Sequence, residues 1–210
     1  MPRLPYSRKK SIEYLQAADP TLGAAIDAVG PFALEISVIA SPFEMLLRSI
    51  AFQSVSTKAA TTIHARVVDV IRGPRGADVT PDRVLRCSKD RLREAGLSWA
   101  KVEAMRDLAR KTRSGVVPDL DGLDDLSDDE IIDRISSVRG IGRWTVEMLL
   151  IFSLGRPDVL PATDLGVRKG FSTVYALDDL PAPKYLLEYG ERWRPYRSVA
   201  SWYLWRALDN

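Results

Sequence analysis

The stretch SVRGIGRWTVEMLLIF, residues 137–152, combines a glycine-rich turn with a long apolar run. Two glycines one residue apart, Gly140 and Gly142, suit a turn that needs positive φ, or that lets another group approach the backbone without meeting a Cβ. The apolar run is typical of a buried helix, and the free N–H groups at a helix N-terminus attract anions. The pattern therefore predicts an anion site, most simply for a phosphate of a nucleotide or of a nucleic-acid backbone.

The hairpin around these glycines has the form of a known DNA-binding motif. Residues 129–152 fit a short helix, a tight turn and a second helix, which is a helix-hairpin-helix, a sequence-independent binder of DNA backbone. The phosphate would contact the amides after Gly140 and Gly142, with the Thr145 hydroxyl nearby. The turn alone is equally compatible with a plain connection between two packed helices.

Asp164 is the second candidate for chemistry. It lies one helix length beyond the turn, in the segment LPATDLGVRKG, directly before a predicted helix. Asp is also a favoured N-cap at such a position, where its side chain accepts a backbone N–H. Both uses can hold at once, because a capping carboxylate is kept ionised and oriented.

The elements that position these residues are predicted to be helices throughout. No period-2 strand pattern of any length occurs, so we expect an all-α fold. We expect two helical lobes with the active site in the cleft between them: residues 41–159 with the hairpin, and residues 1–40 together with 160–210. Helix starts are marked by capping residues at Ser41, Ser56, Thr80, Ser88, Ser98, Ser127 (with Glu130 completing a capping box) and Asp164.

Composition excludes several classes of protein. The 210 residues are 46% hydrophobic, enough to bury a core. No apolar run approaches the roughly 18 residues of a membrane span, and the start, MPRLPYSRKK, lacks a signal segment, so a cytoplasmic protein of a bacterial-type cell is expected. The single Cys87 cannot form an internal disulfide or, alone, hold zinc or an iron–sulfur cluster. Net charge is only +2, and the acid-rich segment 118–133 must face away from any polyanion.

Four ordered motifs give the sequence a family resemblance. From about residue 40 onward it resembles the helix-hairpin-helix (HhH-GPD) DNA glycosylases, and within them the 3-methyladenine DNA glycosylase II branch. The resemblance implies an enzyme that flips bases out of double-stranded DNA, with Asp164 catalytic by position. Some members begin with a β-rich domain, and because only about 40 residues precede the first motif here, we expect that domain to be absent. The motifs are AFQSVSTKAA (51–60), VRGIGRWTVEM (138–148), LPATDLGVRKG (160–170) and ERWRPYRSVASWYLW (191–205).

Trp144 stands where bifunctional members of the superfamily carry a nucleophilic lysine. The resemblance therefore implies a monofunctional enzyme that hydrolyses the N-glycosidic bond and leaves an abasic site. Two other functions remain open: a non-enzymatic helix-hairpin-helix module that holds DNA, and a glycosylase for oxidised or mismatched bases. Asp164 together with Trp144 favours an enzyme over a module, and the absent lysine speaks against the oxidised-base class.

The substrate is predicted from the base pocket that the resemblance implies. A base alkylated on a ring nitrogen carries positive charge, and an indole face attracts a cation by about 0.5 to 2 kcal/mol. Trp144 and Trp205 would line this pocket, and Met148 and Leu165 are expected to make it less aromatic and roomier. Asp164 would stabilise the oxocarbenium-like sugar by charge and could orient the water. The sequence does not say which alkylated base is preferred.

Further roles follow from the resemblance. The turn Phe52-Gln53-Ser54 would fill the gap left by the flipped base. Because Ser54 is small, the side chain that fills the gap must be Gln53 or one that the sequence does not reveal.

Hairpin carbonyls of Ser136, Val138 and Gly140 would hold a monovalent cation, Na⁺ or K⁺, and no other cofactor is expected. The protein is expected to be a monomer. Candidate phosphate contacts are Lys58, Lys101, Arg143, Arg168, Lys169 and Arg197.

Overall fold

The computed structural model describes residues 4–74 and 76–209, and all regular structure within these residues is helical, which confirms the all-α class. None of the described helices is both long and apolar enough to cross a bilayer. The helices are α1 Arg8–Ala18, α2 Pro20–Val29, α3 Pro42–Phe52, α4 Thr57–Arg72, α5 Pro81–Arg86, α6 Lys89–Glu94, α7 Trp99–Arg113, α8 Leu120–Asp124, α9 Asp128–Ser136, α10 Arg143–Phe152, α11 Leu165–Val174, α12 Pro183–Gly190, a 3₁₀ turn Glu191–Trp193, and α13 Arg197–Arg206.

The predicted helix starts are confirmed by their hydrogen bonds. At each of the seven predicted caps the side-chain oxygen accepts a backbone N–H three residues on, and Ser127 and Glu130 form the complete capping box. The acid-rich segment contains the short helix α8, capped by Asp119. The starts were predictable because each cap is a contact within one turn of helix.

The chain forms two compact units, and α10 passes from one to the other. One unit comprises Ile39–Val146, and the other comprises the chain up to Val38 together with Glu147 onward. The predicted boundary at residue 159 therefore differs from the structure, where the division falls inside α10. The reason is a contact between distant parts of the chain: the Ser37 N–H donates to the Phe152 carbonyl at 2.8 Å, so the end of α10 belongs with the N-terminal segment.

The unit Ile39–Val146 is built around α3 and α7. α3 packs against both α4 and α7, and α5 packs against α7. Completely buried apolar side chains fill the space between these helices. This packing holds the C-terminal end of α3 against α7, and the turn after α3 starts from that end. The core includes Leu46, Ile50, Val67, Met105 and Leu108.

In the other unit the close pairing of α11 with α13 is made possible by Gly170. A Cβ built on Gly170 would lie 1.9 Å from the Leu204 carbonyl oxygen, so the two backbones touch there and no larger residue fits. Around this crossing Phe171, Trp193 and Tyr203 are fully buried. The crossing places the start of α11 beside the end of α13.

Candidate functional site

Asp164 is held by two hydrogen bonds to the same oxygen. Its Oδ1 accepts the Val167 backbone N–H at 2.8 Å, which caps α11 as the sequence predicted, and it also accepts the Trp205 indole N–H at 2.8 Å. The side chain is half-buried. A carboxylate with one oxygen fixed by two donors, one from each of two packed helices, has a defined plane and position.

Two glycines one helical turn apart bring Trp205 to this carboxylate. A Cβ on Gly166 would lie 2.8 Å from Trp205 Cδ1 and 3.0 Å from Asp164 Oδ1. Gly170, four residues on, lies on the same face of α11 and gives the backbone contact described above. This contact was not predicted, although the two glycines in GVRKG are a sequence signal for a close helix crossing.

The residues assigned by resemblance to the base pocket differ in their exposure. The Trp205 ring is half-buried, with its centroid 5.5 Å from that of Phe152 and the planes inclined by 32°. Leu165, the first residue of α11, is 53% exposed, which is high for a leucine beside a carboxylate. Met148 is half-buried. Trp205, assigned by resemblance to the base pocket, thus also contacts the candidate catalytic group directly.

The hairpin turn uses its two glycines differently. Gly140 has φ of +77°, and the Ile141 N–H donates to the Val138 carbonyl at 3.0 Å to close the turn. Gly142 has no positive φ, and a Cβ built there would meet no atom within 4 Å. The backbone therefore requires glycine at 140, whereas at 142 glycine leaves open surface beside the start of α10.

The first residues of α10 differ in their exposure. The Trp144 side chain is 48% exposed, and the Arg143 guanidinium lies 3.8 Å from the Asp129 carboxylate. Thr145 is only 8% exposed, and its N–H donates to the Gly142 carbonyl at 3.0 Å. The expected contact of the Thr145 hydroxyl with a phosphate is not favoured by this burial. The N-terminal amides of α10 and Arg143 are the better placed donors.

The turn after α3 is connected to the hairpin. Gln53 is half-buried, and its Nε2 donates to the Gly140 carbonyl at 2.8 Å. Ser54 is exposed with φ of +56°, in the left-handed region that residues with a Cβ rarely adopt. Val55 is 40% exposed, an apolar side chain at the tip that the sequence analysis did not consider as a plug for the gap.

The sequence profile of HhH-GPD superfamily base excision DNA repair proteins matches residues 47–195. The chain belongs to this superfamily.

DNA-3-methyladenine glycosylase 1 of Schizosaccharomyces pombe is 39% identical over 165 residues, 79% of this chain and 72% of that protein. The structure of an S. pombe 3-methyladenine DNA glycosylase in complex with abasic DNA matches with a TM-score of 0.78 and 36% identity, covering 93% of this chain and 95% of that one. The DNA-3-methyladenine glycosidase of Bacillus halodurans matches with a TM-score of 0.84 and 34% identity, covering 94% and 88%. The resemblance inferred from the four motifs is confirmed.

Three of the basic residues that were expected to contact phosphates in this HhH-GPD protein are engaged within the chain instead. Lys101 Nζ donates to the carbonyls of Ala51 and Gln53, at 2.9 and 2.7 Å. Arg168 Nε donates to the Pro181 carbonyl at 2.9 Å, and Arg197 Nε lies 2.8 Å from the Asp158 carboxylate. These internal contacts were not predicted, because they join carbonyls and carboxylates that only the fold brings near, and a phosphate contact by any of the three stays a prediction. Lys58 and Lys169 are exposed.

The three carbonyls suggested as cation ligands stay a prediction. The Val138 carbonyl accepts the Ile141 N–H, and the Gly140 carbonyl accepts the Gln53 amide. The Ser136 hydroxyl donates to the Ile132 carbonyl. A carbonyl oxygen has two lone pairs, so a cation at this turn would share oxygens that already accept hydrogen bonds. Across the described residues no group of three or more His, Cys, Asp or Glu side chains is placed to hold a metal ion.

Proposed function

We propose that this protein is a monofunctional DNA glycosylase that excises alkylated, positively charged bases such as 3-methyladenine from double-stranded DNA. Membership of the HhH-GPD superfamily supports the reaction, and the similarity to proteins named 3-methyladenine DNA glycosylases supports the substrate class. The observation that carries the proposal is the carboxylate of Asp164, fixed by Val167 and Trp205. The relatives named DNA-3-methyladenine glycosylases favour an enzyme over a non-enzymatic DNA-holding module.

Asp164 would act by electrostatics. Loss of an alkylated base leaves positive charge on the sugar in an oxocarbenium-like transition state. A carboxylate whose position is fixed before the reaction stabilises that charge without reorganising during the reaction, and the same group can orient the attacking water. The two hydrogen bonds to Oδ1 provide this fixed position. Cationic bases are good leaving groups, so little general-acid assistance is required.

The exposed indole of Trp144 supports a cationic substrate. Its side chain is 48% exposed, so its surface is available to a ligand. An indole face attracts a cation by about 0.5 to 2 kcal/mol, and alkylation of a ring nitrogen supplies that charge. The same residue supports the monofunctional assignment, because an indole cannot form a Schiff base with the sugar. Treatment with borohydride should therefore trap no covalent protein–DNA adduct, and a trapped adduct would show that another amine serves as nucleophile.

Backbone binding would use the hairpin. The open surface at Gly142 and the N-terminal amides of α10 suit a phosphate, and Arg143 adds positive charge beside them. Such contacts read no bases, so binding to undamaged duplex should be weak and should fall steeply as salt rises. A Na⁺ or K⁺ ion at the hairpin carbonyls would add to this phosphate site. We place the activity in the cytoplasm of a bacterial-type cell, on nucleoid DNA.

The decisive experiment is base release from DNA treated with a methylating agent. The released bases are identified by chromatography, with undamaged DNA and the Asp164→Asn protein as controls. Release of 3-methyladenine or another cationic methylated base by the wild-type protein alone supports the proposal. DNA binding with no released base would instead identify a binding module.

Selectivity within the substrate class follows from charge. By the resemblance, Met148 and Leu165 make the base pocket less aromatic, and Ser54 is small, so we expect a roomy pocket and a weak wedge. A roomy pocket discriminates little by shape, so cationic bases with poor pairing, 1-methyladenine and 3-methylcytosine, should be excised beside 3-methyladenine. A panel of single-lesion duplexes under single-turnover conditions, with Ser54→Leu for comparison, tests this. If neutral hypoxanthine is released as fast as 3-methylcytosine, charge does not select the substrate.

A further inference from the structure

A lysine from the distant helix α7 caps the C-terminal end of α3. Lys101, in α7, directs its ammonium group at the carbonyl oxygens of Ala51 and Gln53, at 2.9 and 2.7 Å. A helix leaves its last carbonyls without intrahelical donors and carries partial negative charge at that end, so a half-buried cation there satisfies both. Burial lowers the pKa of Lys101 from its ordinary value. Two of the three ammonium hydrogens are thereby used inside the protein.

The turn that follows is one that needs external support. Ser54 holds φ at +56°, in the left-handed region that is unfavourable for a residue with a Cβ. Two further contacts flank the turn: the Gln53 amide donates to the Gly140 carbonyl at 2.8 Å, and the Phe52 ring lies 6.1 Å from the His64 ring. The turn is therefore held at its carbonyls, at its glutamine side chain and at its preceding aromatic ring.

We propose that Lys101 is a positioning residue for the Gln53–Ser54 turn and not a contact to DNA phosphate. By holding the Ala51 and Gln53 carbonyls it keeps the turn in the shape that enters the gap left by a flipped base. The proposal rests on the glycosylase function proposed above, because only base flipping creates that gap. Removing the ammonium group leaves the strained turn free to relax, so the gap is filled more slowly.

Salt dependence separates a positioning role from a phosphate contact. The affinity for undamaged duplex is measured over a range of salt concentrations for wild type, Lys101→Met and Lys58→Met. Lys58 is the matched control, an exposed lysine in the first turn of α4. Each lost phosphate contact lowers the slope of log affinity against log salt by about 0.9. We expect that loss for Lys58→Met and an unchanged slope for Lys101→Met.

Pairing dependence separates positioning from a general loss of structure. Single-turnover excision is measured on a duplex with one 7-methylguanine opposite cytosine, and on the same lesion opposite an abasic-site analogue, where flipping meets little resistance. Lys101→Met should slow release from the paired duplex by about tenfold and from the unpaired duplex by less than about threefold. Combining it with Gln53→Ala should give less than the product of the two separate effects, because both changes act on one turn.

Three results would overturn the proposal. A slope lowered in Lys101→Met as in Lys58→Met would make Lys101 a phosphate contact. Equal slowing on the two duplexes would make it a structural support without a role in flipping, and unchanged rates on both would remove any role. If Lys101→Met does not fold, Lys101→Gln, which keeps an N–H donor without charge, is measured in the same two assays. Absence of base release by the wild-type protein would count against the proposed function, whereas the salt measurement on undamaged DNA would still decide where the lysine binds.

Discussion

Asp164 and Asp19 have the same two kinds of partner and lie in the same unit of the protein. Each caps a helix: Asp19 Oδ1 accepts the Leu22 N–H at 3.2 Å at the start of α2, as Asp164 does from Val167. Each also accepts an indole N–H, Asp19 from Trp193 at 2.9 Å and Asp164 from Trp205 at 2.8 Å. A capped helix and a tryptophan donor therefore do not by themselves make a catalytic carboxylate.

The difference between the two carboxylates lies in their exposure to solvent. Asp19 is 2% exposed, and its Oδ2 accepts the Tyr175 hydroxyl at 2.6 Å in addition to the indole, so donors occupy both oxygens. Burial raises the pKa of Asp19, but hydrogen bonds from Tyr175, Trp193 and the Leu22 N–H outweigh it, and the pKa lies below its ordinary value. Asp164 is half-buried, and its Oδ1 accepts from Val167 and Trp205. We therefore assign Asp19 a structural role. Asp164, which is more exposed, can present its charge to a substrate.

The sharpest test of this contrast is Asp164→Asn. The amide oxygen can still accept from Val167 and Trp205, so folding and DNA binding should be almost unchanged. Excision should fall by about a hundredfold or more, because the charge on the transition state is lost. Single-turnover rates together with thermal unfolding measure both quantities. Turnover near the wild-type rate would remove Asp164 from the mechanism.

The reciprocal change is Asp19→Asn. One of its oxygens becomes an NH₂ group, so a buried donor then faces another donor, either Tyr175 and Trp193 or the Leu22 N–H. The free energy of unfolding should fall by about 2 to 3 kcal/mol, while excision per folded molecule stays near that of wild type. Chemical denaturation and active-site titration separate the two. A stability equal to that of wild type would contradict the structural role.

The two indole donors can be compared by Trp205→Phe and Trp193→Phe. Each change keeps an aromatic ring and removes the N–H. Trp205→Phe should lower the excision rate by about tenfold with a smaller effect on stability, because Oδ1 of Asp164 loses one of its two donors. Trp193→Phe should lower the unfolding temperature and leave excision unchanged. Equal effects of the two substitutions on excision would abolish the distinction.

The smallest effect expected is on the pH dependence of stability. Because the folded-state pKa of Asp19 lies below the ordinary value of 3.8, the ionised form is favoured by folding. This contribution is fully present above pH 3.8 and is lost as pH falls through the folded-state pKa. Unfolding free energies measured from neutral to acidic pH should show this loss in wild type. Asp19→Asn should show a shallower decrease, and parallel curves would assign the acid sensitivity to other groups.

How far the sequence predicted the molecule depended on the range of each contact. The helix starts, the capping box of Ser127 and Glu130, and the N-cap of Asp164 were all predicted, since each needs only residues within one turn. The positive φ of Gly140 followed from the turn itself. The boundary between the units was not predicted, because the end of α10 joins a segment more than a hundred residues earlier in the chain.

The sequence alone determined the all-α class, the hairpin, the family and Asp164 as a helix cap, because side-chain type at short spacing fixes local hydrogen bonding. Only the tertiary structure decided which partners the site residues have. Trp205 meets Asp164 across 41 residues, Lys101 meets Gln53 across 48, and Gln53 meets Gly140 across 87. These pairs depend on how helices cross, as at Gly170 against Leu204, and that geometry is set by packing that no local pattern contains.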